Sequence, residues 1–142
     1  MTDPTPPSTP SRGFTKSFTA GPGHIDELGH VNNAVWVQWI QDLAPAHWDS
    51  AARPEDHAQF FWVVVRHEID YRANIGEGET AIGETFIPDA PRGATSVRAV
   101  EFTDASGKKL VSARTTWAML DRASQRLVRV RPDVIAPFQI SD

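Results

Sequence analysis

The run Gly23-His24-Ile25-Asp26-Glu27-Leu28-Gly29-His30-Val31-Asn32-Asn33 concentrates residue types that can do chemistry. It holds carboxylates, two imidazoles and two adjacent carboxamides, with glycines that let the chain turn. Just beyond it Val35, Trp36, Trp39, Ile40 and Leu43 recur at helical spacing, so the run leads into a helix N-terminus. Free backbone N–H groups and the positive end of the helix dipole converge at such a junction. An oxyanion is stabilised there, Asp26 beside it can serve as general base or nucleophile, and His30 and Asn33 are further catalytic candidates. Acyl transfer is therefore one reading. The plainer reading is that Asp26 bonds its own loop as a turn carboxylate, Asn33 caps the helix and His30 orients the loop. Capping and catalysis do not exclude one another. His24, Asp26 and His30 could approach as three metal ligands, but nothing supplies a fourth or a second shell, so no metal is expected. His47, His57 and His67 are scattered and read as structural or surface residues.

A second candidate is electrostatic. Lys108, Lys109, Arg114, Arg122, Arg126, Arg129 and Arg131 lie in one short segment whose only acid is Asp121, on a chain of net charge −4. An anion site on an acidic protein would look like this, and so would an ordinary solvated strand face. Arg129 and Arg131 share one face of an expected strand, with Val128 and Val130 on the other.

The elements that must position these residues follow from periodicity. Phe14 to Ala20 reads as a first strand, broken by Gly21-Pro22-Gly23. The helix is capped at Asn33 and spans residues 34 to about 44, where Pro45 kinks or ends it. It is apolar almost all round, since Ala34 and Val37 join the stripe, and should be buried. Phe61 to Arg72 alternates as a strand, with His67, Ile69 and Tyr71 facing one way and Arg66, Glu68, Asp70 and Arg72 the other. Glu79 to Ile87 is a third strand. Ala94 to Thr103 and Lys108 to Leu120 flank Asp104-Ala105-Ser106-Gly107, a hairpin signal. A last short strand covers Leu127 to Arg131. One helix and a mostly antiparallel sheet define a two-layer α+β domain.

Bulk properties agree. With 142 residues there is room for one domain, residues 13–142, behind a Pro/Ser/Thr-rich tail, residues 1–12, expected to be disordered. The absence of cysteine removes disulfides, thiolate zinc and a cysteine nucleophile. The acidic balance argues against nucleic acid. No apolar run approaches a membrane span and no signal pattern opens the chain, so a soluble cytoplasmic protein is expected. Most of the five tryptophans should be core, with one or two lining a pocket.

The pattern D-x-x-G-H-V-N-N from Asp26 to Asn33, followed by an aromatic-rich helix, resembles the hot-dog-fold thioesterases of the 4-hydroxybenzoyl-CoA thioesterase type. The resemblance runs from Phe14 to Pro132 and includes Ile69-Asp70-Tyr71 and the closing hairpin. It implies one long buried helix wrapped by a curved, mostly antiparallel sheet of five or six strands. It also implies a homodimer or tetramer with sites between protomers. Asp26 falls on the catalytic carboxylate and Gly29 on the loop glycine. The oxyanion donors fall on the amides of Val31, Asn32, Asn33 and Ala34. Trp36 stands where relatives carry Tyr or Phe and would shape the acyl pocket. The implied activity is hydrolysis of an acyl-CoA thioester, with coenzyme A as part of the substrate and no other cofactor. Its phosphates would meet Arg92, Arg129 and Arg131. The alternatives on this fold are a non-hydrolysing acyl-thioester binding module and a 3-hydroxyacyl-thioester dehydratase.

Overall fold

The computed structural model describes residues 13–140. The expected disordered tail lies outside the described residues.

Strand β1 (Phe14–Thr19) is followed by a 3-10 turn at Pro22–His24, where Gly21-Pro22-Gly23 stops the strand. Helix α1 (Asn33–Ala51) then crosses the domain, and a short helix α2 (Pro54–Gln59) leads into β2 (Phe60–Tyr71). Strands β3 (Thr80–Phe86), β4 (Thr95–Thr103) and β5 (Lys109–Asp121) complete one antiparallel sheet in the order β1-β3-β4-β5-β2. A short helix α3 (Pro132–Ile135) and a 3-10 turn at Ala136–Phe138 finish the described chain. The α+β class and the strand order along the chain are as the sequence implied, with α2 and α3 added. No helix among the described residues is long and apolar enough to cross a membrane.

Three expectations are corrected. Helix α1 does not end near Pro45 but runs a turn and a half beyond it. A proline inside a helix costs ~3 kcal/mol through its lost hydrogen bond and ring clash. Burial of Ile40, Leu43 and Trp48 around it, at ~1.5–3 kcal/mol for each such side chain, outweighs that. Pro45 itself points to the exposed side. The helix is also buried on one face only. Trp36, Trp39, Ile40, Leu43, Ala44, His47 and Trp48 are inside, whereas Val35 and Val37 are half-buried. Finally, Leu127–Arg131 makes no strand, only an isolated bridge from Leu127 to Leu120. Its in–out alternation survives, with Val130 buried and both arginines exposed.

The buried face of α1 organises the core in two parts. Around its first half Trp36, Trp39, Ile40 and Leu43 pack with Phe18, Val100, Phe102 and Val111. Around its second half Trp48 packs with Phe60, Ile87, Met119, Val130 and Phe138. Gly83 on β3 lets the helix come close, because a Cβ there would stand 2.8 Å from Phe102 and 2.9 Å from Leu43. The hairpin between β4 and β5 turns as its sequence implied. Asp104 Oδ1 accepts from the Ser106 and Lys108 amides, and Gly107 takes φ +90°.

Candidate active site

The loop before α1 folds as a small hairpin of its own. Asn32 N–H donates to His24 O at 2.9 Å, Ile25 bridges Val31, and Asp26 N–H donates to His30 O at 2.8 Å. At its tip Gly29 N–H donates to Asp26 O, and Gly29 takes φ +84°, a left-handed conformation that favours glycine. The Asp26 carboxylate faces into this turn. Its Oδ1 accepts from the Leu28 amide at 2.9 Å and the His30 amide at 3.2 Å. No described residue hydrogen-bonds Oδ2. One oxygen therefore shapes the loop, and the other is free on a half-exposed group.

The hairpin is anchored from below. Val31 is fully buried and its N–H donates to Ile75 O. Asn74 holds the same junction twice over: its Nδ2 donates to Val31 O at 3.0 Å, and its Oδ1 accepts from the Trp36 indole at 3.2 Å. Sequence reading missed Asn74. A carboxamide three residues past the end of β2, between Ala73 and Ile75, was the available signal.

Of the four amides expected to hold an oxyanion, three are engaged. Val31 N–H reaches Ile75 O, Asn32 N–H reaches His24 O, and Ala34 N–H donates to Asn32 Oδ1 at 2.8 Å. Only the Asn33 N–H is left without an acceptor among the described residues. The cap is accordingly Asn32, not Asn33. Asn33 is the first helical residue, and its exposed carboxamide has no hydrogen bond among the described residues. His30 is exposed as well, while His24 accepts from Gly21 N–H and meets Trp39 edge-on. Trp36 does not line an opening. It is fully buried between Trp39 and Phe102, so it supports the site from within the core.

The three arginines lie on neighbouring segments, but away from the Asp26 hairpin. Val130 N–H donates to Gly93 O, which sets Arg129 and Arg131 beside the turn that carries Arg92. All three are exposed, and Arg131 pairs with Asp133 at 3.4 Å. They lie over the second half of the core, whereas the Asp26 hairpin sits on the first. Among the described residues no three His, Asp or Glu side chains gather to hold a metal.

One long helix packed on a five-stranded antiparallel sheet, with a carboxylate-bearing hairpin at the helix start, defines a hot-dog-fold domain of thioesterase type. The chain belongs to the acyl-ACP thioesterase N-terminal domain family, which it matches over residues 12–138. Solved structures share the fold. An acyl-ACP thioesterase from Bacteroides thetaiotaomicron superposes with a TM-score of 0.78 at 19% identity, over 92% of this chain and 55% of that one. A 12:0-ACP thioesterase from Umbellularia californica gives 0.74 at 15% identity, over 91% and 51%. A 1,4-dihydroxy-2-naphthoyl-CoA thioesterase from Synechocystis gives 0.68 at 17% identity, over 83% and 89%. This chain thus spans about half the length of the two acyl-ACP thioesterases. No curated protein sequence matches it.

Proposed function

We propose that the chain hydrolyses an acyl thioester to a carboxylic acid and the free thiol of its carrier, coenzyme A in the leading reading. The observation that carries it is the free Asp26 Oδ2 in a hydrogen-bonded hairpin that leads into the start of α1, where the Asn33 amide lacks an acceptor among the described residues. The thioester carbonyl would lie over the start of α1, with its developing oxyanion accepting from the Asn33 N–H. The exposed Asn33 carboxamide would serve as a second donor, and one such donor contributes about 10²–10³ in kcat. Asp26 Oδ2 would take a proton from the attacking water. Alternatively it would attack the carbonyl carbon, expel the thiolate and leave a mixed anhydride for water to cleave. Arg92, Arg129 and Arg131 would hold the phosphates of coenzyme A. No metal or redox group is required by either route.

A homodimer follows from the same reading. Strand β2 lies at the sheet edge, with Val63, Val65 and Tyr71 exposed along it. Antiparallel pairing of two such edges would bring the Tyr71 end of one protomer against the Phe60 end of the other. The Asp26 hairpin, anchored just past Tyr71 through Asn74, would then approach the arginine-bearing half of its partner. A site split in this way explains why carboxylate and arginines stand apart within one chain.

A non-hydrolysing acyl-thioester binding module is the second reading. It is favoured by the loop-building role of Asp26 Oδ1 and by the single free amide. Purified protein assayed against acyl-CoA and acyl-ACP panels, with detection of released thiol, separates the two. Turnover on either carrier supports hydrolysis and identifies the carrier. Saturable binding without thiol release supports the module.

A further inference from the structure

A cavity of about 230 Å³ opens between the second half of α1 and the inner face of the sheet. Its walls are aromatic: Trp48, Phe61, Trp62, Trp117 and Phe138. Counted from Asn33 at 1.5 Å per residue, its helical residues Ala44 to Asp49 lie about 16–24 Å along α1. No residue of the Asp26 hairpin lines it.

Arg98, on the inward face of β4, also lines this cavity, although 94% of the residue surface is hidden. Its Nη1 donates to His47 Nδ1 at 2.8 Å and stands 3.4 Å from Thr85 Oγ1, and its guanidinium lies over the Phe138 ring. No carboxylate among the described residues pairs with it. Burial pulls its pKa down to about 10, so it remains a cation at neutral pH. Because Arg98 donates, His47 Nδ1 must be the unprotonated nitrogen, and His47 is neutral. A buried cation with only neutral partners is costly unless an anion completes it.

Two more donors belong to the cavity wall. Ser96 and Trp117 are cross-strand neighbours, both line the cavity, and both are more than nine-tenths buried. Ser96 Oγ and the Trp117 indole nitrogen have no hydrogen-bond partner. Native interiors rarely leave such groups orphaned; both atoms are shut off from the open space, so a ligand reaches them only by shifting the cavity wall. The mouth carries Arg122, bonded to main-chain carbonyls, and Asp49, paired with His57 at 2.9 Å.

We propose that this cavity binds a small organic acid with an aromatic body, its carboxylate received by Arg98 and a second polar group by Ser96 and Trp117. The aromatic walls offer edge and face contacts to a ring. The volume falls below the roughly 300–1,000 Å³ of drug-sized sites, which suits a compact acid. The inference does not depend on thioester hydrolysis.

Phenylacetate and its neutral isostere phenylacetamide are suitable probes, read by calorimetry and by the fluorescence of the cavity tryptophans. The wild-type protein should bind the acid at least about tenfold more tightly than the amide. Arg98→Met should erase that preference by weakening the acid and leaving the amide unchanged. Ser96→Leu, which fills the space, should abolish binding of both and carries the test if Arg98→Met does not fold. Equal wild-type affinities, or affinities untouched by Ser96→Leu, overturn the proposal. Failure of the acid to bind also overturns it and leaves a solvent-filled cavity.

Discussion

At the scale of single residues, the two oxygens of Asp26 separate loop-building from chemistry. Asn in its place keeps an Oδ1 that can accept from the Leu28 and His30 amides, so Asp26→Asn should preserve the hairpin and the thermal midpoint. It removes basicity and nucleophilicity at Oδ2, so kcat should fall by about 10²–10⁴ with KM little changed. Turnover within a few-fold of wild type would assign Asp26 to the turn alone. His47 gives a second prediction, in pH. Burial first, and the Arg98 charge second, push its pKa from 6.5 to about 4. On acidification the unfolded chain takes up this proton before the folded one does. The stabilisation from a neutral His47 is therefore complete above about pH 6.5 and is lost as pH falls through about 4. Its ceiling is on the order of 3 kcal/mol, at 1.36 kcal/mol per pKa unit. His47→Asn keeps an acceptor for Arg98 but does not titrate. Its melting temperature should fall less between pH 7 and 4.5 than that of wild type, even though lost packing lowers it at every pH.

At the scale of elements, the approach of α1 to the sheet rests on Gly83. Gly83→Ala places a methyl against Phe102 and Leu43, and overpacking of this kind costs about 1–3 kcal/mol. Urea unfolding should show that loss in the midpoint with an unchanged slope; an unchanged midpoint would mean the layers part without strain. Elements set by local chemistry were legible in the sequence. The Asp104–Gly107 turn carries its own bonding groups, and the stripe from Trp36 to Leu43 repeats at one helical period. Those decided by tertiary context were not. Pro45 reads as a helix end until burial on both sides of it is known. Leu127–Arg131 alternates like a strand but pairs only in isolated steps, at Leu120 and Gly93. In the site, the Asp26 to Asn33 motif was readable, yet the choice of Asn32 as cap left Asn33 N–H free and could not be told from two adjacent asparagines. Arg98 escaped notice, although Ser96 and Arg98 fall in phase with Val100 and Phe102 on β4; an inward arginine was the clue.

At the scale of the whole molecule, β2 is an edge that needs cover. It is long and apolar at Val63 and Val65, and a bulge breaks its register between Val64 and Arg66. Exposed edges of this kind pair with other chains. Light scattering at micromolar concentration should give at least twice the 15.7 kDa chain mass. Val65→Lys should shift the population toward monomer and reduce turnover with it. A wild-type monomer would remove both the dimer and the split site. If the dimer brings the arginines to the substrate, Arg129→Glu with Arg131→Glu should raise KM for acyl-CoA at constant kcat. Pantetheine thioesters, which lack the nucleotide, should be indifferent. Equal losses on both would place these arginines elsewhere.

The strand order has a consequence for synthesis. Among the described residues the only sheet neighbour of β2 is β5, which follows it by about 40–60 residues between paired positions, with β3 and β4 made in between. At ribosomal rates of roughly 5–20 residues per second, β2 waits on the order of 2–12 s for that partner. During this interval the run Phe60–Val65 is on the nascent chain with neither edge paired. Expression conditions that slow elongation through β3 and β4 should therefore lower soluble yield, and a holdase chaperone acting on the emerging chain should restore it.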